Sequence, residues 1–355
     1  MKIDDKDVIS FCSNDYLGLA NNPQIKQAAI NAINDFGVGS GSAHLVNGHS
    51  IVHHQLEEEL AEFTGYPRAI LFSTGYMANL GLCQALVTKG DYVFEDRLNH
   101  ASLIDGGLIS GARLQRYLHN DASSLKQKLE KIDKAANKLV LTDGVFSMDG
   151  DIADLPKLSK LCKKNNSWLM VDDAHGFGTL GETGKGSLQH FSLEQKDVPI
   201  YMATLGKAIG TAGAFIAGSD ELIETIIQQA RTYIYTTAMP AAIAEATRYS
   251  LNIIQNESRH LNNLNNNIAY FKSCCNETAL PIENSETAIQ PMIIGDDLAT
   301  LKISQDLFKA GFLVTAIRPP TVPEGTSRLR ITLSAKHTHD HIDQLCDALS
   351  KLTHQ

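Results

Sequence analysis

The sequence predicts an α/β fold built on a mostly parallel sheet, and three observations carry that expectation. Short, continuous apolar runs recur at residues 69–72, 91–94, 139–142, 168–171, 201–204 and 212–217. Runs without polar alternation belong to strands buried on both faces, as in parallel sheets. Between the runs lie stretches with helical spacing and readable end signals. Finally, 43% of the residues are apolar and 20% charged, which suits a large globular core, and 355 residues are enough for about two structural units.

The elements can be justified in chain order. Asn22-Pro23 opens a helix to Phe36, with Asn as N-cap and Pro at the first helical position. Ser50 precedes a helical pattern that stops near Gly65, and its Glu57-Glu58-Glu59 run reads as a solvated helix face. The run 69–72 is a strand, and a helix starts at Gly75. The strands at 139–142 and 168–171 each follow a Lys-rich helical stretch. An Asn-rich polar stretch at 256–267 separates this pattern from a second one: strand 289–294, helix 298–310, strand 312–317, strand 329–333 and a terminal helix 339–352. That order reads as a smaller α+β C-terminal domain over residues 251–355. Residues 46–250 form the large domain and 1–45 a short N-terminal segment.

Composition excludes several classes of function. The net charge of −9 disfavours a nucleic-acid partner, because phosphate backbones repel an acidic surface. No run reaches the ~18 apolar residues that a membrane helix needs. The charged start lacks the apolar stretch of a secretory signal. The six scattered cysteines form no C-x-x-C and no cluster with His, so they read as reduced thiols of a cytoplasmic enzyme, and no metal site is expected.

Chemistry-bearing residues gather at strand ends. Val171-Asp172-Asp173-Ala174-His175-Gly176 closes the apolar run 168–171. In open α/β sheets ligands bind outside the carboxyl ends of strands. The stretch reads either as a ligand site or as a loop-capping Asp beside a surface His. Thr204-Leu205-Gly206-Lys207-Ala208-Ile209-Gly210 sets one Lys among small residues. It reads as an amine that a flat ligand can approach, or as a surface Lys in a Gly-rich turn. Ser73-Thr74-Gly75-Tyr76 joins a strand to a helix N-terminus, where free N–H groups suit a phosphate. Asn99-His100-Ala101-Ser102 places an imidazole after the strand at 91–94. A Schiff-base Lys, an acid for a pyridinium nitrogen, a phosphate-binding helix start and a ring-stacking His are together what pyridoxal 5'-phosphate (PLP) requires.

These motifs, in this order, resemble those of the α-oxoamine synthases, fold-type I PLP-dependent enzymes that condense an amino acid with an acyl thioester and release CO2. The likeness extends from about Ile9 onward. It includes Ser13-Asn14-Asp15-Tyr16, Gly39-Ser40-Gly41-Ser42 and Asp143-Gly144-Val145-Phe146-Ser147-Met148-Asp149-Gly150. It implies a large, mostly parallel seven-stranded domain that binds PLP. The segments Ala316-Ile317-Arg318-Pro319-Pro320-Thr321-Val322-Pro323 and Arg328-Leu329-Arg330-Ile331 are most similar to the branch that uses L-alanine and pimeloyl-CoA or pimeloyl-acyl carrier protein. That branch makes 8-amino-7-oxononanoate for biotin. Another branch, such as glycine C-acetyltransferase, is the alternative enzyme, and a catalytically silent subunit would lack Lys207.

Residue roles follow from the same resemblance. Lys207 holds PLP and moves the Cα proton. Asp172 pairs with the pyridine nitrogen; strand alternation puts Asp172 and Asp173 on opposite faces, so only one can face a ring. His175 and Ser147 sit by the ring oxygen, and His100 stacks on the ring. Gly75, Tyr76 and Thr204 bind the phosphate, while Thr236 and Thr237 resemble a stretch that reaches the phosphate of a partner subunit in a homodimer. Arg330 clamps the alanine carboxylate with Asn14, and Thr321 lies near the acyl chain. Relatives usually carry a few tens of residues before Asn14, including a helix with an acyl-contacting Arg. Residues 1–45 are expected to lack that helix.

Overall fold

The computed structural model describes residues 1–353, and the chain divides into two units. The larger comprises Leu19–Phe146 and Ile152–Asn256. The smaller comprises Met1–Gly18, Ser147–Asp151 and the chain from Glu257 onward.

Seven strands form the sheet of the larger unit: β1 (Arg68–Phe72), β2 (Tyr92–Asp96), β3 (Arg113–Tyr117), β4 (Lys138–Asp143), β5 (Trp168–Asp172), β6 (Ile200–Thr204) and β7 (Ala214–Gly218). Their order is β1-β7-β6-β5-β4-β2-β3, and β7 is antiparallel to both its neighbours while the other pairings are parallel. The expected mostly parallel sheet is therefore present. Six strands coincide with the apolar runs. β3 has no such run: its sequence, Arg-Leu-Gln-Arg-Tyr, is that of an edge strand with charge on its open side.

Eight helices of this unit concern us: α1 (Pro23–Phe36), α2 (Ile51–Thr64), α3 (Gly75–Leu86), α4 (Ala101–Ile109), α5 (Ala122–Leu129), α6 (Leu155–Lys164), α7 (Asp220–Gln229) and α8 (Ala241–Asn256). On α1, Asn22 Oδ1 caps the N–H groups of Gln24 and Ile25, as the sequence signals. Strand alternation sorts the sheet faces. Ile70 and Phe72, Leu139 and Leu141, Met170, Ile200 and Met202, and Ala214 and Ile216 pack in one cluster with Leu82 of α3, Leu103 of α4 and Ile226 of α7. Burying each large side chain contributes roughly 1.5–3 kcal/mol. Two residues further along the same alternation stand Asp143, Asp172 and Thr204, so the period that builds the core also delivers the polar groups to its rim.

The Glu run of α2 is not simply solvated. Glu57 is largely buried and accepts the N–H of Leu71 at 3.0 Å, capping a backbone donor on edge strand β1. Glu59 pairs with Arg248 at 2.7 Å. Burial pushes the Glu57 carboxyl up to about 8. The folded chain thus keeps a proton that the unfolded chain loses near 4.5. The associated stability is complete below that lower value and is lost as pH rises through about 8. Glu57→Gln retains an acceptor for Leu71 and removes the titration. We expect its stability advantage over the parent to grow by on the order of 2 kcal/mol between acid and mildly alkaline pH. Melting curves at both pH values check this, and a constant gap rejects it.

In the smaller unit β8 (Ile289–Gly295), β9 (Thr315–Ile317) and β10 (Ser327–Thr332) form an antiparallel sheet of order β8-β10-β9. Helices α9 (Arg259–Glu277), α10 (Asp297–Lys309) and α11 (His339–Thr353) complete it. One expectation is corrected here. The run 312–317 is two strands: Phe312–Leu313 pairs in parallel with Ile9–Ser10, whereas β9 pairs with β10. The Asn-rich stretch is largely helical, because Leu261, Leu264, Ile268 and Phe271 recur at helical spacing on the buried side of α9. All six cysteines are free thiols. No helix among the described residues is long and apolar enough to cross a membrane.

Candidate active site

Lys207 follows the end of β6 in a tight turn closed by the Gly210 N–H to Lys207 carbonyl bond at 2.9 Å. Gly210 has φ +74°, and a Cβ there would lie 2.5 Å from the Ala20 nitrogen, so this turn needs glycine. The turn brings Lys207 Nζ to 2.8 Å from Nε2 of buried His175. An amine and an imidazole that the sequence separates by 32 positions thus share one hydrogen bond.

Asp172 ends β5 and is 5% exposed. Its Oδ1 accepts the Ala174 N–H at 3.1 Å, and its Oδ2 accepts from Asn79 Nδ2 at 2.8 Å. Asp173 takes the opposite direction. Its Oδ2 accepts from the Ser187 N–H at 2.7 Å and the Tyr201 hydroxyl at 2.8 Å, and burial pushes its carboxyl up to about 7. The two adjacent carboxylates therefore differ in use: Asp173 braces a loop, and Asp172 shares the face of the core cluster.

Asp143, which the sequence reading did not single out as a site residue, is the register partner of Asp172 on β4. Its Oδ2 accepts the His100 N–H at 3.0 Å. Burial and the neighbouring Asp172 charge hold the Asp143 carboxyl well above the usual range. The signal that could have found it was present: it too is an Asp closing an apolar run.

His100 is the N-cap of α4, and its Nδ1 lies 2.7 Å from Ser102 Oγ. At the start of α3, Thr74 Oγ1 accepts the Met77 N–H at 3.1 Å, and the Thr74 carbonyl accepts the Ala78 N–H at 3.0 Å. The N–H groups of Gly75 and Tyr76 have no carbonyl within their own helix and sit at its positive end. A Cβ on Gly75 would come 2.7 Å from Thr204 Cγ2, so glycine permits the close approach of β6. The Tyr76 hydroxyl donates to Asp105, and its ring is partly exposed. In the same unit Thr237 is exposed. Its carbonyl accepts from Ser73 Oγ at 3.3 Å and from Thr236 Oγ1 at 3.5 Å, which sets this stretch beside the strand-to-helix turn of its own chain.

Arg330, Asn14 and Ser147 come together in the smaller unit. Arg330 is 7% exposed; its Nε donates to the Ser147 carbonyl at 2.5 Å. Its two terminal nitrogens donate to Asn14 Oδ1 at 3.4 and 3.3 Å, and the Tyr16 hydroxyl donates to the same oxygen at 3.1 Å. These acceptors are neutral, unlike Asp149, which pairs with Arg328 at 2.5 Å. Arg330 thus keeps an uncompensated positive charge against a fixed frame. Thr321 lies in an exposed turn, its N–H donating to the Arg318 carbonyl at 3.1 Å.

The donor set of the larger unit fits a flat heteroaromatic aldehyde that carries a phosphate. It offers an amine for the aldehyde, a hydrogen-bonded carboxylate for a ring N–H, imidazoles, and a helix start for the phosphate. Elsewhere His49, His54 and Glu57 each bring one donor atom within 4.8 Å of the others; Glu57 Oε1 accepts the Leu71 N–H, and its Oε2 lies 3.8 Å from His49 Nε2.

The chain matches the class I and II aminotransferase family over residues 6–349. It is 58% identical over 349 residues to a protein of Thioalkalivibrio sulfidiphilus named 8-amino-7-oxononanoate synthase, covering 98% of this chain and 89% of that one. A protein of the same name from Saccharophagus degradans is 57% identical, covering 98% and 87%. Among solved structures, a serine palmitoyltransferase from S. paucimobilis with a bound PLP–myriocin aldimine superposes with a TM-score of 0.96 at 30% identity, covering 99% and 89%. An 8-amino-7-oxononanoate synthase from Francisella tularensis gives 0.84 at 34% identity, covering 97% of each chain. The fold is thus common to both activities, and it is the higher sequence identity that separates them.

Proposed function

This chain belongs to the class I and II aminotransferase family and, within it, to the 8-amino-7-oxononanoate synthases, and from that premise we propose that it condenses L-alanine with a pimeloyl thioester on PLP. The products are 8-amino-7-oxononanoate, CO2 and the free thiol of CoA or acyl carrier protein. The observation that carries this reading is the 2.8 Å pair of Lys207 Nζ and His175 Nε2, in the same unit as the doubly hydrogen-bonded Asp172.

PLP, when bound, supplies an electron sink for the carbanion that forms at the alanine Cα. The residues hold and time that chemistry. Lys207 Nζ would hold the cofactor and, as a free amine, would take the Cα proton of alanine. Asp172 keeps the ring nitrogen protonated. His175 would donate toward the ring oxygen, and His100 would cover the ring face. The Gly75 and Tyr76 N–H groups, with Thr204, hold the phosphate. Arg330, aided by Asn14, holds the alanine carboxylate bidentately until it leaves as CO2. Thr321 lies toward the acyl chain.

Two copies are expected to pair, with Thr236 and Thr237 reaching the partner's phosphate. The exposure of Tyr235 (71%) and Val46 (76%) on the larger unit supports a covered surface there.

A coupled assay of thiol release tests the proposal. L-Alanine with pimeloyl-CoA should turn over, and shorter acyl-CoA molecules should serve less well. Turnover with glycine and acetyl-CoA but not with alanine would move the chain to the glycine C-acetyltransferase branch.

A further inference from the structure

We propose that Asn79 is a positioning residue that sets Asp172 and His100 in register through Ser102, an inference that rests on the PLP reading above. Asn79 lies on α3, fully buried, and its single amide nitrogen has two acceptors: Asp172 Oδ2 at 2.8 Å and Ser102 Oγ at 2.8 Å. Both amide hydrogens are therefore spent. The Ser102 oxygen accepts from Asn79, so its own hydrogen points to His100 Nδ1, 2.7 Å away. The Ser102 N–H also approaches that nitrogen, at 3.3 Å. With two donors on Nδ1, the imidazole carries its proton on Nε2. One amide thus fixes three things: the charged carboxylate, the hydroxyl direction and the His100 tautomer.

The orientation of the amide is not arbitrary. Asn79 Oδ1 is buried without a hydrogen-bond partner among the described residues. An amide rotated by half a turn would offer that oxygen to Ser102 but place it against the Asp172 carboxylate. The orphaned acceptor is the cost of keeping both donors on the chain from Asp172 to His100. A residue needed only to tie α3 to α4 would require one of these donors, not both.

The test uses purified holoenzyme and PLP itself. Asn79→Ala should weaken PLP binding about tenfold and move the pH midpoint of the visible absorbance band upward, since Asp172 loses a donor that stabilises its charge. Ser102→Ala should weaken binding by less and leave the midpoint in place, because its loss touches only His100. The double variant should be no weaker than Asn79→Ala, since the Ser102 contribution needs Asn79. Asn79→Asp, of nearly equal volume but without two donors, carries the same expectation if Asn79→Ala does not fold. A folded Asn79 variant with the parent's affinity and midpoint overturns the inference, as do strictly additive effects. If the parent forms no band with PLP, the proposed function fails as well, which separates the two failures.

Discussion

Lys207→Ala should leave a folded protein with no imine absorbance band and turnover reduced by at least about 10⁴-fold. Two losses combine. The covalent anchor disappears, so PLP is held only by its phosphate, ring nitrogen and ring-face contacts. The proton at the alanine Cα then has no base at the right place, and a positioned base alone is worth roughly 10²–10⁴-fold. His175, whose Nε2 faces the lysine amine at 2.8 Å, is not expected to take over the proton transfer. The absorbance spectrum and single-turnover CO2 release check this. A variant that keeps the band would transfer the anchor to another amine.

Arg330→Ala is the second large effect. The guanidinium is held by a carbonyl and an amide oxygen, both neutral, so the charge offered to a carboxylate is not spent within the protein. Charge-assisted hydrogen bonds are worth about 1.5–3 kcal/mol each. Losing the clamp should raise KM for alanine by roughly 30- to 150-fold, about 2–3 kcal/mol. PLP affinity should change little, since none of the cofactor contacts proposed above belongs to Arg330. Unchanged alanine kinetics would remove Arg330 from the substrate site. Arg330→Lys should recover only part of the loss, because an ammonium cannot make the two parallel bonds of a guanidinium.

Much of the candidate site was legible because its chemistry-bearing residues sit where strands end. Asp172, His175 and Lys207 interrupt apolar runs with groups that are expensive to bury, and such interruptions can be read from a single chain. Arg330 was different. It lies within a strand whose six residues are all buried, and only the likeness to known enzymes distinguished it from Arg328, which is spent on Asp149. No role for Asn79 or Ser102 was legible. A buried Asn on a largely apolar helix has no spacing code, and its importance lies in partners 93 and 23 positions away. The fold shows the same division. Continuous apolar strands announced themselves, whereas the charged edge strand β3 did not. The 312–317 run was misread because two strands on different partners are contiguous in sequence. Glu57 was taken as solvated because helical spacing does not reveal that an edge strand needs a cap.

The pairing of Ile9–Ser10 with Phe312–Leu313 has a consequence for how the protein is made. Asn14 and Arg330 meet across 316 positions of chain. At about 5–20 residues per second, a ribosome takes roughly 15–60 s to cover that distance. The Leu19–Asn256 unit can fold during this interval, because its strands lie within its own span. Lys2–Ile3 can pair locally with Lys6–Asp7, but Ile9–Ser10 must wait for Phe312–Leu313. The nascent chain can therefore bring Lys207, Asp172 and His175 together in the larger unit well before Asn14 meets Arg330 in the smaller one.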